Sequence, residues 1–229
     1  MRNKLALLVG TLTVLGAAAP ADASIFEIYI RGHGGFEYLD LTAIDYSGAL
    51  NPANYASLTR DQQSFLDNMT KEYKGEGYAV GGAAGVMLFD FLDLGIDFRQ
   101  AGLWFDSGSS GDLTQLSLNV AWHILGTSLI VDPSIALGLG YCYLTTDIPV
   151  YPPDFNPSDP LHPPTPSSTE ERTFNGWIGR AGVALDIRFI SWMSVGVAAD
   201  FSFLYFDGGA EKKSWGFNTD ILGRISFHI

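Results

Sequence analysis

A period of two, sustained in eight separate segments, limits what this chain can fold into more than any other feature of its 229 residues. The segments are 25–39, 77–89, 92–105, 113–123, 134–144, 174–187, 193–206 and 217–229. In 113–123, Leu116, Leu118, Val120 and Trp122 alternate with Gln115, Ser117, Asn119 and His123. In 134–144, Ile135, Leu137, Leu139, Tyr141 and Tyr143 alternate with Ser134, Ala136, Gly138, Gly140 and Cys142. In 25–39, Phe26, Ile28, Ile30, Phe36 and Tyr38 face away from Glu27, Tyr29, Arg31, His33 and Glu37. Such alternation belongs to a strand with two unlike faces. Eight of them predict an all-β chain.

The character of the two faces selects the kind of barrel. One face carries branched aliphatics and aromatics; the other collects Gly, Ala, Ser and Asn, together with five of the eight arginines, Arg31, Arg99, Arg180, Arg188 and Arg224. A soluble barrel or sandwich would turn the apolar face inward and leave polar groups in water. Burying the arginines in a dry core along with Asp97, Asp186, Asp200 and Asp220 would cost several kcal/mol per ion unless they were paired. A membrane barrel turns the apolar belt to lipid and the polar face to a lumen. The expectation is a closed, antiparallel, up-and-down transmembrane β-barrel of eight strands. With a net charge of −12 the chain lacks the basic stripe that nucleic-acid binding needs. The single cysteine excludes an internal disulfide and a thiolate zinc cluster.

Residues 1–23 stand apart. Arg2 and Lys4 precede an apolar run from Leu5 to Ala19, and Ala21-Asp22-Ala23 supplies a small-x-small cleavage pattern. The run is shorter than the roughly 20 apolar residues of a membrane-spanning helix. A cleaved export signal is expected, with the barrel domain occupying 24–229. Connection lengths alternate: 90–91 and 188–192 are tight and 124–133 short, whereas 40–76, 106–112, 145–173 and 207–216 are longer. Membrane barrels have short periplasmic turns and longer outer loops, so both chain ends fall on the periplasmic side. Trp104, Trp177 and Trp215 then sit at the outer strand ends and Trp122 and Trp192 at the periplasmic ends, where aromatic girdles belong.

The final strand, Ile221-Leu222-Gly223-Arg224-Ile225-Ser226-Phe227-His228-Ile229, is the most specific segment. With it, residues 24–229 resemble the small eight-stranded outer-membrane barrels of Gram-negative bacteria, the superfamily of the OmpA transmembrane domain, OmpX and OmpW. The resemblance implies an outer-membrane location and contact with its lipid and lipopolysaccharide. It also implies a monomer, inserted by the barrel assembly machinery through a terminal signal carried here by Ile225, Phe227 and Ile229. Members usually end on an aromatic residue; this chain ends on Ile229, with its aromatic two residues earlier.

Function is sought in the lumen. Glu27, Arg31, Asp97, Arg99, Arg180, Asp200, Asp220 and Arg224 form the candidate lumenal charge network, with closure expected to bring Glu27 and Arg31 near Arg224. An eight-stranded interior is just wide enough to be filled by side chains, which favours a plug; a charge-lined ion path is the alternative. Gly77, Ala79, Gly81 and Ala83 could instead leave room for an apolar solute, as in OmpW-type relatives. In the first long loop, Thr59 and Gln62 suggest a capped helix over Arg60–Glu72, with Phe65, Leu66, Met69 and Tyr73 on one stripe. The loop at 145–173 holds eight of the eleven prolines. No G-x-S-x-G, H-E-x-x-H or phosphate-cradling motif occurs, and His33, His123, His162 and His228 are not set in a catalytic pattern. The expected function is non-enzymatic, structural or surface-interacting, with no catalytic residues, cofactor or metal site; a narrow channel for ions or small solutes is the first alternative and a lipid-modifying outer-membrane enzyme the last.

Overall fold

A computed structural model describes residues 26–41, 58–69, 73–106, 109–125, 130–150, 167–207 and 214–229. The expected export signal, His162 and most of the proline-rich loop lie outside these residues. The described residues form eight strands: β1 (Phe26–Leu41), β2 (Tyr73–Leu88), β3 (Leu92–Phe105), β4 (Ser110–His123), β5 (Val131–Val150), β6 (Ser168–Ile190), β7 (Met193–Asp207) and β8 (Ser214–His228). Each pairs antiparallel with its chain neighbours, and β8 pairs back onto β1, so the hydrogen bonding closes in a ring.

Each segment with a period of two is a strand. Outward positions are apolar around the whole circumference: Ile28, Val80, Ile96, Leu118, Leu139, Val183, Val197 and Ile221, one from each strand, are all exposed. Side chains of opposite parity point inward and are mostly buried.

The strands run past the ends that the alternation marks. The β1–β2 ladder continues to Leu41↔Tyr73, inside the segment expected as loop 40–76. β4 begins at Ser110 and β8 at Ser214, inside 106–112 and 207–216. The largest extension is in β5 and β6, which pair from Thr145↔Thr173 to Val150↔Ser168 within 145–173. Ser168, Thr169, Glu170 and Glu171 are all exposed regardless of parity, so solvent meets both faces and hydropathy has nothing to alternate about. The β-branched residues Thr145, Thr146, Thr169 and Thr173 keep the ribbon extended. Pro149 is tolerated because β4 pairs with β5 only as far as Thr146, leaving an edge.

The tight β2–β3 turn spans 89–91, with Phe89 and Asp90 at φ of 56° and 62° and Phe91 N–H donating to the Leu88 carbonyl at 3.3 Å. The expected helix forms as α1 (Arg60–Met69), and its far end, residues 70–72, lies outside the described residues. Its cap is reciprocal: Thr59 N–H donates to Gln62 Oε1 at 2.9 Å, and Gln62 N–H donates to Thr59 Oγ1 at 3.4 Å. The side chains of its expected apolar stripe are outside the described set.

Candidate functional site: the interior of the barrel

The inward face is layered. At the long-loop end it is apolar: Leu39, Leu41, Leu103, Phe105, Leu113, Leu144, Ile178, Leu204 and Phe206 are buried together. Each lies on the same strand face as the polar residues below it, so β1 presents Glu37, Leu39 and Leu41 in succession. The expected polar inner face therefore holds for only part of the barrel height. Toward the long loops, close-packed leucines take over.

Immediately beneath lies the ionic centre. Arg99 on β3 donates through Nε to Asp97 at 3.0 Å, through Nη1 to Asp220 on β8 at 2.7 Å, and through Nη2 to Asp200 on β7. Strands β3 and β7 are four apart in an eight-membered ring, so this one guanidinium spans the lumen. Arg180 on β6 crosses in the other direction, donating to Asp97 at 2.9 Å, to Ser117 and Ser202 at 3.4 Å, and to Gln115. Glu37 accepts from Gln115 at 2.9 Å and from Asn218 at 2.8 Å. The planar, multidentate guanidinium suits this bracing role better than a lysine would. Arg99 is 5% exposed and Arg180 6%, while Glu37 and Asp220 are wholly buried.

Of the eight candidate residues, Asp97, Arg99, Arg180, Asp200 and Asp220 meet in this centre. The other three stand nearer the short turns with different partners. Arg31 donates to Ser226 at 2.9 Å and lies 3.5 Å from Asp93. Arg224 donates through Nε to Asp186 at 2.6 Å, and Glu27 faces His228 at 2.5 Å and Arg188 at 3.4 Å. Of the two residues expected near Arg224, Arg31 stands one same-face position away across the seam and lines the same cavity, whereas Glu27 sits farther toward the short turns with His228 and Arg188. The closing ladder is staggered: Arg224 lies opposite His33, Arg31 lies opposite Ser226, and Ile28 bonds to the terminal residue Ile229. Strand order brings β1 and β8 together; the stagger decides who meets whom.

Between these lower pairs and the ionic centre is a cavity of about 50 Å³, lined in part by Tyr29, Arg31, Asp93, His123 and Arg224. His123, in its wall, holds Nδ1 2.7 Å from Asp132 behind it. Beside the glycines of β2 the space is taken, by the β3 backbone at Gly77 and by the β3 backbone and the His33 side chain at Gly81. A Cβ on Gly81 would stand 2.4 Å from His33 Nε2, and one on Gly95 of β3 would stand 2.1 Å from Tyr29 Oη. Ala79 and Ala83 are buried. Among the described residues, no three His, Cys, Asp or Glu side chains are grouped to hold a metal ion.

Glu37, Asp93, Gln115, Asp186 and Asn218 belong to the interior as much as the eight candidates do. Their signal was parity: each shares a face with a lumenal arginine or aspartate on its own or a neighbouring strand. All five tryptophans point outward. Tyr78 meets Trp104 edge-on at 5.8 Å, as Tyr141 meets Trp177. In the terminal strand Ile225 and Ile229 point outward, and Phe227 stacks on Trp192 with centroids 6.2 Å apart.

No known family model and no curated protein matches the sequence. Among solved structures, the chain is similar to Neisserial surface protein A at 10% identity and a TM-score of 0.49, covering 90% of this chain and 98% of that one. It is similar to the N-terminal β-barrel domain of Pseudomonas aeruginosa OprF at 15% identity and a TM-score of 0.41, covering 89% and 97%. The attachment invasion locus protein Ail of Yersinia pestis gives 12% identity and a TM-score of 0.46, covering 90% and 100%. At such identities and scores these are likenesses between barrels, with nothing in them about activity.

Proposed function

We propose that this chain is a non-enzymatic outer-membrane β-barrel whose lumen is plugged, serving a structural or surface-interaction role. The carrying observation is the inversion of the usual soluble arrangement: a ring of apolar side chains faces outward from every strand, while arginines and carboxylates are paired inside. In water that belt is an aggregation surface; in a bilayer it is the lipid contact. The outward tryptophans serve as girdles, and Ile225, Phe227 and Ile229 as the outward part of the assembly signal. In this reading residues 1–23 are removed on export, the short turns and both ends face the periplasm, and the long loops with the β5–β6 ribbon face outside. Exposed Glu170 and Glu171 on that ribbon are available to a surface partner.

A closed lumen is favoured over an ion path by the stacking of two obstructions. Two guanidiniums cross at the ionic centre, and a packed apolar layer sits above them. Ions passing that layer would have to shed their water against leucine. The test is electrical: purified protein in planar bilayers is expected to show no discrete conductance. Reproducible single-channel steps from the wild type would overturn the plug in favour of a narrow pore. Protease treatment of intact cells should cut within 40–76 or 145–173, and the mature mass should begin at Ser24. Cleavage only after the periplasm is opened would reverse the orientation.

A further inference from the structure

We propose that Glu37 and Asp220 form a proton-binding site at the sealed centre of the barrel, sharing one proton at neutral pH. The two residues are direct cross-strand partners on β1 and β8, and both are fully buried. Directly opposed side chains in an antiparallel pair start from Cβ atoms only about 5 Å apart. The proposal goes beyond the structural reading and stands on the closed ring and its interior alone.

Three observations carry it. The first is charge: Glu37, Asp97, Asp200 and Asp220 are four buried carboxyls, and the ionic centre supplies two guanidiniums, Arg99 and Arg180. The second is how those cations are shared. Arg99 contacts Asp97, Asp200 and Asp220, and Arg180 contacts Asp97. Glu37 has neither as a direct partner, since both its hydrogen bonds come from the neutral amides of Gln115 and Asn218 and both end on Oε1. The third is the set of acceptors left over. Glu37 Oε2, Asp220 Oδ1 and Asn218 Oδ1 are buried oxygens without a donor. Three such acceptors on neighbouring residues call for a donor or a positive charge. A buried charge without compensation is costly, and like-charged carboxyls at one site do not both ionise readily.

A proton answers all three observations with the smallest change. It forms an O–H bond at Glu37 Oε2 or Asp220 Oδ1, turning one acceptor into a donor and removing one negative charge. It is supplied by water and returns to water, with no other reactant. The groups facing the pair are His33 on β1, Asp97 and Arg99 on β3, Gln115 on β4, Cys142 opposite Gln115 on β5, Arg180 on β6 and Asp200 on β7; β2 opposes Glu37 with Gly77. Above, the leucine layer bars water. Exchange therefore proceeds from the short-turn side, through the cavity below Arg99.

Infrared spectroscopy of the refolded barrel at neutral pH tests this directly. A protonated carboxyl has a carbonyl stretch well separated from carboxylate and amide bands, and it shifts in deuterium oxide. One such band, equivalent to a single group, is expected in the wild type. It should shift on ¹³C-labelling of glutamate or aspartate side chains and be lost in Glu37→Gln, whose amide supplies the same donor without a titrating proton. Asp220→Asn should remove or move it as well. No band in the wild type overturns the proposal, as does a band that survives both replacements. A heat resistance that depends on sodium in the wild type and not in Glu37→Gln would assign a bound cation instead, and equally overturn it. Should both variants fail to fold, labelling in the wild type still decides: a band that moves with neither label refutes the site.

Discussion

Replacing Arg99 by methionine isolates the ionic centre from everything else in the barrel. Methionine keeps much of the stem volume and removes all five donors. Asp97 retains Arg180 at 2.9 Å, but Asp200 and Asp220 lose the cation that contacts them. Removing one member of a buried pair costs about 3–5 kcal/mol. With two carboxylates stranded at 7% and 0% exposure, the expected loss lies at the upper end, about 5 kcal/mol, a large share of a typical domain stability. A simple doubling is not expected, since contacts in one network do not add. The assay is urea unfolding in lipid vesicles, read by tryptophan fluorescence. The triple variant Arg99→Met, Asp200→Asn, Asp220→Asn should recover most of the loss, because it removes the stranded charges with their partner. Arg172→Ala, which disturbs a surface pair with Glu170 at 2.9 Å, serves as the comparison and should cost at most about 1 kcal/mol. If Arg99→Met costs no more than Arg172→Ala, the lumen is wet and the pairs do not brace it. If it is costly and the triple variant stays equally weak, lost packing rather than stranded charge is responsible.

Other regions make separate predictions. Leu118 and Leu139, opposed on β4 and β5 and both outward, should each cost about 2–4 kcal/mol on replacement by arginine near a bilayer midplane; spin labels there reporting water would invert the assignment of faces. Gly95→Ala drives a methyl into Tyr29 Oη and should destabilise by about 1–3 kcal/mol, with Tyr29→Phe relieving part of the penalty in the same urea titration. In double-mutant cycles Arg224→Ala should couple to Asp186→Asn and not to Glu27→Gln; the reverse result would mean that the closing ladder has a different stagger.

The strands are legible because outward and inward positions alternate in polarity, and parity alone places Arg31, Arg99, Arg180 and Arg224 inside. Parity does not report height across the ring. Arg224 meets Asp186 two strands away because both stand opposite Gly196 of β7, which has no side chain to part them, an alignment across three strands with no local sequence mark. The apolar layer did leave a mark: Leu39 and Leu41 continue the face of Glu37, and Leu103 and Phe105 continue that of Arg99. An expectation of a uniformly polar inner face conceals it. The β5–β6 ribbon was hidden for the opposite reason, since strand pairing outlasts the contrast between its two environments.

Seven of the eight ladders join neighbours in the chain, and only the seam between β1 and β8 joins its ends. Contacts this distant in sequence form late, because the chain between them must first be ordered. The ionic centre is subject to the same delay: Arg99 reaches Asp220 across 121 positions and Asp200 across 101, while Arg180 reaches Asp97 across 83. Hairpins can grow one after another without any of these pairs. The network then acts as a latch on a finished ring rather than as a nucleus for one. Stabilisation gained after the rate-limiting step appears in the unfolding rate, so loss of Arg99 should shorten the lifetime of the inserted barrel while leaving the speed of its insertion nearly unchanged.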